Sequence, residues 1–247
     1  MKIKILIPVY NDWQSVYKLL KNINSEVSNL DHEFSVIIVN DASTEVNPGL
    51  SNNLDNLNSI KIINMKENRG HARCNAAGLK HIFENEEFDY VIPMDGDGED
   101  RPEEIKKLVD NLSYHPDKPV VGERIKRSEG IFFKLCYFVH KIITFTFTGQ
   151  SIKYGNYTCL PKSIVEKMIN EKATWSSFSG SLAKISKDRA TVPSERGNRY
   201  FGPSKMNFYN LIKHSLSIIS VFRKTFLIRS ALFIILYILL IKNNASV

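Results

Sequence analysis

The apolar positions change period repeatedly over the first hundred residues. Ile3–Val9 is a nearly continuous apolar run that ends at a proline, the pattern of a central parallel strand covered on both faces. Ser15–Ile23 then sets Val16, Leu19, Leu20 and Ile23 at helical spacing. Phe34–Val39 predicts a second strand, ending in Asn40-Asp41-Ala42-Ser43, and Ile60–Met65 a third, ending in Glu67-Asn68-Arg69-Gly70. His71–Phe83 follows with Ala72, Ala76, Leu79 and Phe83 on one helical side. Asp89–Met94 is a fourth strand and runs straight into Asp95-Gly96-Asp97-Gly98-Glu99-Asp100. Strand and helix in alternation imply right-handed crossovers, hence an α/β fold with a mostly parallel sheet and helices on both faces.

The pattern loosens after about residue 120. Val120-Val121-Gly122 predicts a short strand leading into the basic segment Glu123–Arg127. Ile131–Thr148 is aromatic-rich and helical, Ser163–Asn170 is a short helix, and Ala173–Arg199 has no clear period. Lys205–Phe222 is amphipathic, with Phe208, Leu211, Ile212, Ser215, Ile218, Ile219 and Phe222 on one side. An apolar run follows at Ala231–Ile241, extendable to Thr225–Ile241 if Arg229 snorkels. The expected organisation is a catalytic domain over 1–204 and an amphipathic plus a short hydrophobic helix over 205–247.

Charge adds an asymmetry to this picture. Residues 1–100 hold 9 Lys/Arg against 16 Asp/Glu, and residues 101–247 hold 24 against 10. An acidic half suits a cation, and a basic half suits phosphates or anionic lipid. Cys74, Cys136 and Cys159 form no CxxC pair, which argues against a zinc site or a disulfide framework and fits a reducing compartment. The start, MKIKILIPVYND, reads as a strand running into a loop, not as a secretory leader.

The placement of the acids matters more than their number. Asp12, Asp41, Asp95 and Asp97 each fall just beyond the carboxyl end of a strand, where open α/β sheets bind ligands. In the Asp95–Asp100 run, glycines between the acids make a tight turn on which several oxygens converge. Such hard donors suit Mg²⁺ or Mn²⁺, which keep waters and bridge substrate phosphates. A calcium loop of the EF-hand type needs a Glu at its twelfth position, and here that position is Lys106.

The runs IPVYND, VNDAST, ENRGHARCNAAG and MDGDGEDRPEEI together resemble the family 2 glycosyltransferases of the GT-A fold. Within that family, VVGERIKR and RYFGPSK are similar to the polyprenyl-phosphate sugar transferases, among them dolichol-phosphate mannose synthase and undecaprenyl-phosphate glycosyltransferases. The resemblance covers residues 1–222. It implies that Pro8, Tyr10 and Asp12 hold the base and ribose of a UDP- or GDP-linked sugar, and that Asp41 contacts the same moiety. Gly70 and Arg73 would shape the nucleotide pocket. Asp95 and Asp97 would be the acid pair that binds metal and donor, with Glu99 as a third ligand where close relatives carry Gln. Arg124 and Arg127 would reach the diphosphate or the acceptor phosphate, and Arg199, Ser204 and Lys205 would close over the acceptor phosphate. The catalytic set implied is Asp95, Asp97, Arg124 and Arg199. Two positions depart from the pattern: Glu99, and the stretch Gly155-Asn156-Tyr157-Thr158, where close relatives tend to have an aspartate. His71 is expected either in the pocket wall or against substrate.

A lipid monophosphate acceptor is already anionic and needs no general base, whereas a hydroxyl acceptor needs a carboxylate. Asp188 and Glu195 are the only acids after Lys172, and neither lies in the acid-pair context of hydroxyl-acceptor relatives. The expected reaction is therefore inverting transfer of a hexose from a nucleotide-diphosphate sugar to a polyprenyl phosphate. A glycan-hydroxyl acceptor and a non-catalytic binding protein of the same fold are the alternatives, and no nucleic acid partner is expected. The apolar run of eleven to seventeen residues is short of the roughly twenty that span a bilayer. It admits three readings: a marginal transmembrane helix, an interfacial helix pair, or an interface in a homo-oligomer. Arg223-Lys224 before the run would stay on the cytoplasmic face, and the catalytic domain with them.

Overall fold

The structure is a computed structural model that describes residues 1–49, 53–126, 131–203 and 208–245. The chain divides into two compact units, Met1–Ser128 with Lys153–Lys205 and Glu129–Ile152 with Met206–Val247. The boundary near residue 205 is thus joined by a second passage around 129–152, so the aromatic-rich segment groups with the C-terminal helices.

The elements in chain order are β1 (Lys2–Val9), α1 (Trp13–Val27), β2 (Glu33–Asn40), β3 (Ser59–Asn64), α2 (His71–Asn85), β4 (Tyr90–Pro93) and α3 (Ile105–Asp110). They continue as β5 (Val120–Lys126), α4 (Ile131–Thr148), β6 (Tyr154–Pro161), α5 (Lys162–Asn170), α6 (Phe178–Ile185), β7 (Ala190–Glu195), α7 (Phe208–Val221) and α8 (Arg223–Ala245).

In the first unit the seven strands form one sheet in the order β3-β2-β1-β4-β6-β5-β7. β1 lies at its parallel heart, with Ile5 opposite Val36 of β2 and Ile92 of β4. The alternation of β1 serves two layers. Ile3, Ile5 and Ile7 join a fully buried core with Val16, Leu19, Leu20 and Ile23 of α1. Leu6 points to the other face, against α2, where a Cβ on Gly78 would lie 2.3 Å from a Leu6 methyl. Only glycine lets that helix approach so closely. The expected parallel sheet with helices on both faces is therefore present.

Two strands lie beyond the reach of the apolar pattern. β6 inserts antiparallel between β4 and β5, with Val91 opposite Leu160 and Val120 opposite Cys159. β7 pairs parallel with β5 at the sheet edge, and its sequence ATVPSE buries only Val192 and Ser194. The segment without period, Ala173–Arg199, thus contains α6 and β7. A buried carboxylate joins this edge to the site: Glu104 accepts from the Ser194 hydroxyl at 2.7 Å and from the Glu195 N–H at 3.1 Å. Cys74 and Cys159 are free buried thiols.

In the second unit α8 runs for 23 residues, about 35 Å at the α-helical rise. An 18-residue window within its stretch Arg223–Lys242 has a mean hydropathy of 2.1, and α8 is the one helix among the described residues long and apolar enough to cross a membrane. The helix is longer than the expected apolar run of eleven to seventeen residues, because it continues through Arg229. That arginine does not need to snorkel: it donates to the carbonyls of Phe145 and Thr146 at 3.2 and 2.9 Å. Both carbonyls lie in the last turn of α4, where the Phe145 oxygen also accepts from the Gly149 N–H at 2.8 Å. The Phe147 ring packs on Phe226 and Phe233, at 5.1 and 5.8 Å between centroids.

A candidate active site at the carboxyl edge of the sheet

β1, β2 and β4 end at the same edge and deliver Asp12, Asp41 and the Asp95–Asp100 turn, whereas β3 delivers the loop ahead of α2. The first two strand ends are tied together. The Asn11 N–H donates to the Ser43 hydroxyl at 3.0 Å, and the Asn11 side-chain oxygen accepts from the Thr44 N–H at 2.8 Å. Asp41 is buried and accepts from the Arg69 and Gly70 N–H groups at 2.7 and 2.8 Å. It therefore fixes the loop that opens α2, and so the position of Gly70, His71 and Arg73. Tyr10 and Arg73 are exposed, and Pro8 is half-buried.

The acidic turn is organised from within. Asp100, 5% exposed, accepts from the Asp95 N–H at 2.9 Å, and Asp97 accepts from the Glu99 N–H at 2.9 Å. Crowding of carboxylates separates their protonation. Burial and then the Asp95 charge push Asp100 up to about 8, with Arg124 in opposition at 3.8 Å. Burial and the Asp95 charge also push Asp97 up to about 6, against the pull of the Glu99 N–H and Arg199. For Asp95 burial works in the same upward direction but is outweighed by His71, Arg124 and the Asn156 amide, so its carboxyl lies below the ordinary range. Asp95 is thus the acid held ionised, and Asp100 the one that locks the turn.

The segment after β7 lies along this turn. The Gly197 N–H donates to the Glu99 carbonyl at 2.8 Å and the Tyr200 N–H to the Asp97 carbonyl at 2.9 Å. Arg196 pairs with the Glu99 carboxylate. Arg199 donates to Asp97 at 2.5 Å and to Asp12 at 2.7 Å. The Tyr200 hydroxyl accepts from the Asn22 amide of α1 at 2.7 Å, and Lys18 stands 4.8 Å above its ring.

Asp12, Asp95, Asp97, Glu99, Arg124 and Arg199 are thus brought to one edge, and Asp41, Gly70 and Arg73 to its flank. Arg127, Ser204 and Lys205 lie outside the described residues. Arg196 and Asn75 escaped the sequence reading. The signal for Arg196 was its spacing of three from Arg199 in an extended segment; Asn75, on an apolar helix face, gave none.

Among the described residues no group of three or more His, Cys, Asp or Glu converges as a metal cage. Mg²⁺ and Mn²⁺ do not require one, since one or two carboxylates and substrate phosphates complete their shell. The donor chemistry of Asp95 and Asp97 fits such an ion. Glu99 would first have to leave Arg196.

Residues 4–164 match the family described as "Glycosyl transferase family 2". The undecaprenyl-phosphate 4-deoxy-4-formamido-L-arabinose transferase of Klebsiella pneumoniae (strain 342) is 28% identical over 222 residues, covering 85% of this chain and 64% of that protein. Its namesake from Salmonella choleraesuis (strain SC-B67) is 28% identical over 221 residues with the same coverage. The chain thus spans a little under two thirds of the length of these relatives. Among solved structures, glucosyl-3-phosphoglycerate synthase from Mycobacterium tuberculosis, in complex with Mn²⁺, UDP and glucosyl-3-phosphoglycerate, superposes with a TM-score of 0.64 at 13% identity, over 91% of this chain and 79% of that one. A mannosyltransferase from Pyrobaculum calidifontis, in complex with GDP-Man and Mn²⁺, gives 0.62 at 16% identity, over 90% and 63%.

Proposed function

The chain belongs to glycosyl transferase family 2 and has the GT-A fold, and on that premise we propose that it transfers a hexose from a nucleotide-diphosphate sugar to a polyprenyl phosphate, with inversion, at the cytoplasmic face of a membrane. The observation that carries this reading is the meeting of two charge sets at one edge. Asp95 and Asp97 offer hard oxygens, and Arg124, Arg196 and Arg199 lie directly against the same acidic turn. A donor diphosphate with its cation and an anionic acceptor need both sets together. The undecaprenyl phosphate named for the 28%-identical relatives supports the acceptor, and the UDP, GDP-Man and Mn²⁺ named for the structural neighbours support the donor and the ion.

The roles follow from chemistry. Asp12 and the loop fixed by Asp41 line the nucleotide side of the edge. Mg²⁺ or Mn²⁺ held by Asp95 and Asp97 would neutralise the diphosphate as it leaves. Arg124 and Arg199 supply forked donors suited to phosphate oxygens and hold the acceptor phosphate in line with the anomeric carbon. Arg127, Ser204 and Lys205 are assigned to the same phosphate. The acceptor oxygen is already an anion, so no side chain has to remove a proton. Helix α8, with Arg223-Lys224 at its start, is the membrane anchor in this reading.

The test is purified protein in detergent with Mn²⁺ or Mg²⁺, a panel of UDP- and GDP-sugars, and undecaprenyl phosphate present or absent. Nucleoside diphosphate release that requires the lipid and one particular sugar is the expected result. Release that instead requires a glycan would replace the lipid by a hydroxyl acceptor.

A further inference from the structure

Asn156 projects from β6, the antiparallel strand next to β4, into the acidic edge. Its amide nitrogen stands 3.3 Å from Asp95 Oδ1 and 2.5 Å from His71 Nε2. The same His71 nitrogen lies 3.3 Å from Asp95 Oδ1 and 2.8 Å from the Asn75 amide nitrogen. Three elements therefore converge on one carboxylate oxygen: the turn after β4, the first residue of α2, and β6.

We propose that Asn156 is the positioning residue for Asp95, held in turn by His71 and Asn75. The carboxylate has two oxygens, and this cluster engages Oδ1 through an N–H donor. That fixes the plane of the group and turns Oδ2 to the incoming ion. A neutral amide does this without adding charge, whereas an aspartate in its place would set a second anion 3.3 Å from the first. Asn75 is 1% exposed and its side-chain oxygen has no partner among the described residues, so this amide is buried for what its nitrogen does at His71. Burying an unpaired amide oxygen opposes folding. A site that tolerates that penalty gains a fixed imidazole edge. Groups that orient metal ligands from behind alter metal affinity by about 10–100-fold when removed.

The inference rests on the metal reading above, so its test separates the two. Mn²⁺ binding is measured by electron paramagnetic resonance on the full chain, with UDP and, separately, GDP present, for the wild type, Asp97→Asn, Asn156→Leu, His71→Ala and the double variant of the last two. Leucine keeps the size of asparagine and removes the donor, and thermal midpoints check each fold. The expected result is about tenfold weaker Mn²⁺ binding for Asn156→Leu at an unchanged midpoint, with a smaller loss for His71→Ala. The double variant should match Asn156→Leu alone, because the two residues act as one unit. Wild-type affinity in Asn156→Leu, or additive losses in the double variant, overturns the inference. If Asn156→Leu does not fold, unchanged affinity in His71→Ala overturns it. No Mn²⁺ binding by the wild type, or equal binding by wild type and Asp97→Asn, overturns the metal reading itself.

Discussion

Arg199 donates to the Asp97 carboxylate at 2.5 Å across 102 positions of chain, and its second terminal nitrogen reaches Asp12 at 2.7 Å. One guanidinium thus closes the gap between the end of β1 and the acidic turn after β4. The side chain is 12% exposed, so solvent screens these two contacts only in part.

Replacing this residue is the first prediction. Arg199→Met leaves Asp12 and Asp97 facing each other without a cation. Turnover (kcat/KM) should fall about 100-fold, the loss typical of one preorganised donor. Mn²⁺ binding in the absence of donor should tighten, because a competing cation is gone. Unchanged turnover in steady-state kinetics would remove Arg199 from the machinery.

Glycine is required at position 98. Its φ is +90°, and a Cβ there would lie 2.7 Å from the Tyr200 ring. Gly98→Ala should cost about 1–2 kcal/mol for the backbone alone, lowering Tm by about 3–6 °C. Turnover should suffer more than stability, since Tyr200 must move and Arg199 is its neighbour. Adding Tyr200→Ala should recover part of the Tm and none of the activity. Calorimetry and kinetics on the pair decide it.

A salt-bridged acid away from the site sets a pH dependence. Glu86 is 7% exposed and receives Lys61 at 2.6 Å and Lys4 at 3.2 Å. Burial pushes its carboxyl up, but the two lysines outweigh that and hold it below the ordinary value. A depressed folded value stabilises above the unfolded one, near 4.3, and the contribution is lost as pH falls through the folded value. Glu86→Gln should therefore destabilise by about 2 kcal/mol at pH 7. The difference from wild type should shrink as the pH is lowered below the ordinary carboxylate range and Glu86 takes up its proton. Denaturant unfolding at several pH values measures it, and a pH-independent difference would contradict the assignment.

The membrane assignment makes its own prediction. A chain ending at Phe222 lacks α8 and should leave vesicles of anionic lipid in a flotation assay, while the full chain floats with them. Arg229→Leu keeps the apolar helix but removes the guanidinium that donates to the Phe145 and Thr146 carbonyls, so it should still float yet melt earlier. Equal flotation of the full and shortened chains would refute the anchor.

The parallel half of the fold was legible because its strands are covered on both faces. Ile3–Val9 and Phe34–Val39 have no alternative use for so many adjacent apolar residues. Acids directly after such strands have only one edge to occupy, so Asp12, Asp95 and Asp97 could be placed from the sequence. β7 could not, since an edge strand buries one residue in two and this one carries Pro193, a residue that argues against a strand in the sequence. β6 reads YGNYTCLP and begins with residues that favour turns. Its place between β4 and β5 is a tertiary fact with no local signature. Cross-chain partners were equally hidden: nothing near Asn156 announces Asp95, 61 positions earlier. Arg229 misled for a different reason, because a charge inside an apolar run reads as a break until its carbonyl partners on another helix are known.

The double passage between the units has a practical consequence for anyone who wants the catalytic half in water-soluble form. Trimming the gene from its end removes α7 and α8 but leaves α4, with Phe147 stripped of its Phe226 and Phe233 neighbours. α4 cannot be reached by trimming from the end, since the chain must return to build β6. A soluble version therefore calls for an internal excision, with Ser128 rejoined to Lys153 through a short polar linker, as well as a new stop codon. β5 carries Arg124 and β6 carries Asn156, so the length of that splice becomes a design variable for the chemistry, not only for expression.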